Sequence, residues 1–181
     1  MTKNRTDRES VSRIEAVKAR QGEDHRVLTL STGVKLRIKQ VPVMLPTEIA
    51  MEGMRLRPKA PVMFIEALDR EDENQSDPDY QEALQRWQSQ ILVDMNNAFI
   101  LLGTEIDSVP RGFARPEDPK FHEQMSVLNR DVGSESLQYL AWVKYCAAPK
   151  SDDIALIVGE VGRLSGVGES DVREAVDGFQ R

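Results

Sequence analysis

The 181-residue chain has one cysteine, Cys146, and two histidines, His25 and His122. A single cysteine excludes an internal disulfide and the four-cysteine zinc centres, and it suits a reducing compartment. Neither histidine stands at helix spacing from a second one or inside a zinc-protease motif, which excludes a histidine-rich metal centre. Long apolar runs are missing too. No stretch of about 18 apolar residues occurs, and Met1 to Glu15 lacks the apolar centre of a secretory signal, so the expectation is a cytoplasmic protein that neither spans nor enters a membrane. Basic residues are in deficit, 24 Lys and Arg against 30 Asp and Glu for a net charge of -6. That balance opposes a general phosphate-binding role and leaves nucleic acid out as a partner.

The composition is that of a globular protein, with 40% hydrophobic and 30% charged residues, enough for one ordinary core. The most informative stretch opens at Ser76-Asp77-Pro78-Asp79-Tyr80 and closes at Leu102-Gly103. Asp77 can accept from the free amides of a first helical turn, Pro78 suits the first helical position and Gly103 suits a left-handed cap. Between them Tyr80, Leu84, Trp87, Ile91, Met95, Ala98 and Leu102 recur at steps of three and four, marking one face of a long helix. Their eleven-residue repeat suits a nearly straight helix, whereas a heptad would supercoil, so this is predicted to be a core helix and not a coiled coil. Ala98-Phe99-Ile100-Leu101-Leu102 is apolar on every side, and this end is expected to be buried against later helices.

Residues 1–25 mix charges of both signs with few apolar positions and read as a flexible charged arm. Residues 26–68 form a small β-rich lobe with a short helix. There Leu28, Leu30, Val34, Leu36 and Ile38 alternate with polar residues around the turn Ser31-Thr32-Gly33, predicting a hairpin with Lys35, Arg37 and Lys39 on its other face. Pro46, Thr47 and Glu48 start a short helix reaching about Met54. Residues 61–68 read as a third strand, and 69–79 as an acidic linker with little to bury. Residues 80–181 form a helical body, with further helices near 119–129, 135–147, 152–164 and 169–179 and with Ser134 and Ser151 as N-caps. The fold class expected is α+β and predominantly helical, with a small N-terminal antiparallel β element, hairpin plus one strand, packed on a bundle of about five helices.

Tests for chemistry are negative. A calcium loop starting at Asp72 has Asp77 where glycine is needed and Ala83 where a bidentate glutamate belongs. Cys146 lies in an apolar helix between Tyr145 and Ala147, where cysteine acts as a small hydrophobe. Gly159, Gly162, Gly166 and Gly168 lack the Gly-Lys-Ser/Thr ending of a phosphate loop. The two C-terminal helices imitate a helix-turn-helix, yet the second carries Glu169, Asp171, Glu174 and Asp177 against Arg173, a poor charge set for the major groove. No catalytic, cofactor or metal site is expected.

Two sets of residues could serve a protein partner. Met44, Met51 and Met54 cluster around the short helix, where flexible thioethers either fill gaps in the core or accept a partner helix. Tyr139, Trp142 and Tyr145 lie on a helix that is apolar almost all round; part of it belongs to the core, and Trp142 or Tyr145 is the candidate for a surface contact.

Four segments together resemble the tail assembly chaperones of long-tailed bacteriophages. They are Leu30-Ser31-Thr32-Gly33-Val34-Lys35-Leu36-Arg37-Ile38-Lys39-Gln40-Val41-Pro42, then Asn74-Gln75-Ser76-Asp77-Pro78-Asp79-Tyr80, Tyr139-Leu140-Ala141-Trp142-Val143-Lys144-Tyr145 and Arg163-Leu164-Ser165-Gly166-Val167. The resemblance implies a non-enzymatic morphogenesis protein in the cytoplasm of the bacterial host, binding the helical tape measure protein or the tail tube protein before the tube assembles. The alternative is a virion structural component, a head-tail adaptor or minor tail protein. Either leaves homo-oligomerisation open.

Overall fold

The computed structural model describes residues 26–66, 69–130 and 132–166. The expected N-terminal arm and the helix over 169–179 lie outside them. The fold is α+β and predominantly helical. Strands β1 (Arg26–Thr29) and β2 (Lys35–Ile38) form the predicted antiparallel hairpin. In its turn Gly33 takes a φ of 82°, a region open to glycine, and Leu30 N–H donates to the Val34 carbonyl over 2.9 Å. Alternation holds along β2: Val34, Leu36 and Ile38 are fully buried and Lys35 is exposed.

Helix α1 (Leu45–Arg55) follows, and Pro46 sits in its first turn. Residues 62–65 are a strand, β3 (Val62–Ile65), but it does not join the first sheet. It pairs antiparallel with β4 (Arg70–Glu73), inside the segment expected to be an acidic linker. The strand that completes the first sheet is β5 (Thr104–Ser108), which pairs antiparallel with β2 in the order β1-β2-β5. The β element is therefore not wholly N-terminal. One of its strands arrives from the helical body, so lobe and body share one sheet.

Between β4 and β5 runs the long helix, α2 (Pro78–Gly103), opened as predicted by Asp77, whose Oδ1 accepts from Tyr80 N–H at 2.9 Å. Its end differs from the prediction. Gly103 is the last helical residue, Thr104 continues in extended conformation, and no left-handed cap is formed. A Cβ at Gly103 would fall 2.5 and 2.7 Å from the two methyls of Val161; glycine is needed there for close helix approach. The buried stripe also drifts. Tyr80, Trp87, Ile91 and Met95 are buried as predicted, but it continues through Phe99, Ile100 and Gly103 while Leu102 is exposed. Steps of four residues advance about 40° per step around a helix of 3.6 residues per turn, and the sheet and later helices pack on that side.

Helix α3 (Pro119–Val127) precedes α4 (Glu135–Trp142), which is capped by Ser134 Oγ accepting from Leu137 N–H at 3.2 Å. A wide π turn, Val143–Ala147, extends α4, closed by Ala148 N–H to Val143 O at 2.7 Å. Helix α5 (Ser151–Ser165) begins after Lys150 without a side-chain cap, so Ser151 lies inside the helix and does not cap it; Gly166, with φ 72°, ends it.

Polar contacts tie α5 to both ends of the hairpin. Asp153 accepts from Ser31 N–H at 2.9 Å and from Ser31 Oγ at 2.6 Å, and Val41 N–H donates to Ser165 Oγ at 2.9 Å. Leu36, Ile38, Phe99, Ile100, Phe121, Met125, Trp142, Val143, Ile157 and Val161 fill the main core. Ala50, Ala60, Tyr80, Trp87 and Ile91 are buried outside that cluster. Of these, Trp87 and Ile91 meet α1 at Gly53.

Candidate protein-binding surface

Helix α1 is held from one side. Pro46 and Ala50 are buried, and a Cβ on Gly53 would meet Ile91 Cγ1 and Cδ1 at 2.7 Å. Trp87 Nε1 donates to the Gly53 carbonyl over 2.8 Å, and the Arg57 guanidinium lies 5.9 Å from the Trp87 ring centroid. Tryptophan and glycine thus fix the depth and rotation of α1 on α2. The opposite side is left to solvent. Met44 is 58% exposed, Met51 64% and Met54 39%, flanked by exposed Val43 and Leu56. Met44 and Met51 are seven residues apart, two turns, and share the outer side, while Met54, four residues after buried Ala50, lies at its border. Charge enters through Glu48, and through Glu52 paired to Arg55 at 2.9 Å.

The aromatic set divides differently. Trp142 is fully buried, its Nε1 donates to Ala114 O over 2.6 Å, and its ring meets Phe113 edge-on at 6.3 Å. It is a core residue and not a surface contact. Tyr139 is largely buried as well and hydrogen-bonds Thr104 Oγ1 at 2.7 Å. Because Thr104 Oγ1 donates to Ile100 O at 2.6 Å, its one proton is committed and the tyrosine hydroxyl donates to it. Burial pushes the Tyr139 phenol up to about 12. Only Tyr145 of the three stays outside, 42% exposed, with Arg130 5.7 Å from its ring centroid. The methionine and aromatic sets are also apart. One rests at Ile91 and the other at Thr104, about 20 Å along the axis of α2 at 1.5 Å per residue.

Other sequence features resolve into structure. The basic face of β2 is neutralised across the sheet, where Arg37 pairs with Asp107 at 3.2 Å and Lys39 pairs with Glu105. Burial pushes the Cys146 thiol up, opposite to the shift that activates a nucleophile. Among the described residues no group of three or more His, Cys, Asp or Glu is placed to hold a metal ion, and no helix is long and apolar enough to cross a membrane.

Two surfaces went unread in the sequence. An open groove of about 660 Å³ lies along the first turns of α2, lined by Tyr80, Gln81, Leu84, Gln85 and Gln88 and by Arg57; the helical spacing of the three glutamines on α2 was its signal. The other is β3, whose Val62, Met63 and Phe64 are exposed. No protein-family model, no curated protein and no solved structure matches the chain.

Proposed function

We propose that the protein is a non-enzymatic tail assembly chaperone of a long-tailed phage, which holds an amphipathic helix of the tape measure protein against the methionine side of α1 in the host cytoplasm. The observation that carries the binding function is the two-sidedness of α1: its inner side is pinned by Trp87 and Ile91, while Met44, Met51 and Met54 stay exposed. A pinned helix presents apolar side chains at little ordering cost. Thioethers on flexible stems adapt to more than one helical segment, as a long helical partner requires. A net charge of -6 keeps the complex soluble while the partner's apolar side is covered. The phage setting rests on the four segments of sequence resemblance.

Coexpression tests this. A tape measure protein encoded near this chain's gene should move from the insoluble to the soluble fraction when the chain is present, and the chain should be missing from mature particles. Unchanged solubility overturns the proposal, as does stoichiometric recovery of the chain from particles, which is the signature of a virion component.

A further inference from the structure

The β3–β4 ribbon has one guarded edge and one open edge. Asn74 N–H donates to Pro61 O at 2.8 Å, which fixes the phase of the ladder: with Val62 opposite Glu73 and Phe64 opposite Glu71, the bonded positions are Met63–Asp72 and Ile65–Arg70. The N–H and C=O groups of Val62 and Phe64 therefore point outward from β3, and those of Glu71 and Glu73 outward from β4. Charged side chains on an edge strand deter another strand, and Glu71 and Glu73 supply them on β4. Along β3 there are none. Val62 is 62% exposed and Phe64 56%, and among the described residues no other strand pairs with this edge. A two-stranded ribbon is marginal in water and gains from a third strand.

Charge selects the occupant. The ribbon carries Glu66, Asp69, Glu71, Asp72 and Glu73 against Arg70, which is already paired to Asp72 at 2.9 Å. A second copy of the chain pairing β3 to β3 would double those carboxylates around one sheet, and the ribbon's own Arg70 is already paired to Asp72. An extended segment with alternating apolar and basic residues fits both features, because Val62, Phe64, Glu71 and Glu73 share one face: lysine or arginine stems on that face cross Val62 and Phe64 to reach Glu73 and Glu71, while the apolar side chains lie beside Met63 and Ile65 on the other.

We propose that the outer edge of β3 is a second docking site, at which an extended, basic segment of a partner protein adds a third strand to the ribbon. This goes beyond the holding of a helix on α1. Backbone pairing supplies affinity, the apolar side chains set register, and the carboxylates exclude acidic segments.

A fluorescein-labelled decapeptide of alternating valine and lysine is the probe, read by fluorescence polarisation and by amide exchange of the full chain. The peptide should bind, slow exchange at the Val62 and Phe64 amides about tenfold or more, and weaken steeply with salt. The same peptide with glutamate for lysine should not bind. Phe64→Pro should abolish binding while Met63 and Ile65 keep their protection, because the amide that proline removes faces the open edge. If that variant melts the ribbon, Phe64→Lys keeps the amide and should still weaken binding about tenfold or more through repulsion of the basic strand. Equal affinity for the glutamate peptide overturns the proposal, and so does binding that leaves the Val62 and Phe64 amides unprotected. Protection that rises with protein concentration in the absence of peptide also overturns it, in favour of a second copy on this edge.

Discussion

Tyr139 and Trp142 lie three residues apart on α4, and each fastens α4 to a different element through one hydrogen bond: Tyr139 to Thr104 at the start of β5, Trp142 to Ala114 in the following loop. The Tyr139 phenol, pushed up to about 12 by burial, is neutral in the fold over a range where the unfolded group ionises. Its stabilisation is complete below about pH 10 and is lost as pH rises towards 12, a difference of about 2–3 kcal/mol. One phenolate absorbance step near pH 12 is therefore expected, absent in Tyr139→Phe; a Tyr139 step near pH 10 in the folded chain would contradict its burial. At the other end of the core, Asp153 is buried and accepts two bonds from Ser31. Asp153→Ala leaves Ser31 unpaired and should cost about 1–3 kcal/mol, read as a melting temperature lower by about 2–4 °C per kcal/mol. Neither role was legible in the sequence. A helix apolar nearly all round has no phase, so nothing local told Trp142 from Tyr145; the choice is made by Ala114 and Phe113, which lie about 28 residues away along the chain.

Among the elements, α2 was the most legible because cap, proline and stripe agree. The β2 hairpin was legible for the same reason, with alternation and a turn glycine. What the sequence hid was pairing. Thr104-Glu105-Ile106-Asp107-Ser108 has one large apolar residue and low strand propensity; it is a strand because β2 offers it a ladder, across which its carboxylates meet Arg37 and Lys39. Matching alternate acids in one segment to alternate bases in another was the one available signal. Arg70-Glu71-Asp72-Glu73 is likewise a strand only through β3. The end of α2 gives an element-scale prediction. Gly103→Ala sets a methyl against both Val161 methyls, and a valine on a helix has one preferred rotamer and cannot turn away. Overpacking of this kind should cost about 1–3 kcal/mol by chemical denaturation. The companion change Val161→Ala should recover part of that loss in the double variant, and strict additivity of the two would show that they do not touch.

At the scale of the whole molecule, α2 packs differently along its length. Its C-terminal half lies in the main core with the sheet, α3, α4 and α5. Before that half, Trp87 and Ile91 carry α1 at Gly53, and the β3–β4 ribbon precedes α2 in the chain. Exposed apolar residues are found on α1 and β3, and also at Leu102, Val127 and Leu128. One end of α2 is committed to the main core while the other carries α1, whose methionines are the surface proposed to hold a partner. The candidate methionines were legible as a cluster, but their exposure was not, because thioethers serve cores and interfaces alike. The most direct measurement is the affinity of the purified chain for a tape measure fragment containing an amphipathic helix, with Met51→Asp/Met54→Asp compared with the native sequence. The double variant should bind about a hundredfold or more weaker, as expected when two central apolar contacts are replaced by charges, while its melting temperature stays that of the native chain. Undiminished binding by a folded double variant would contradict the central claim.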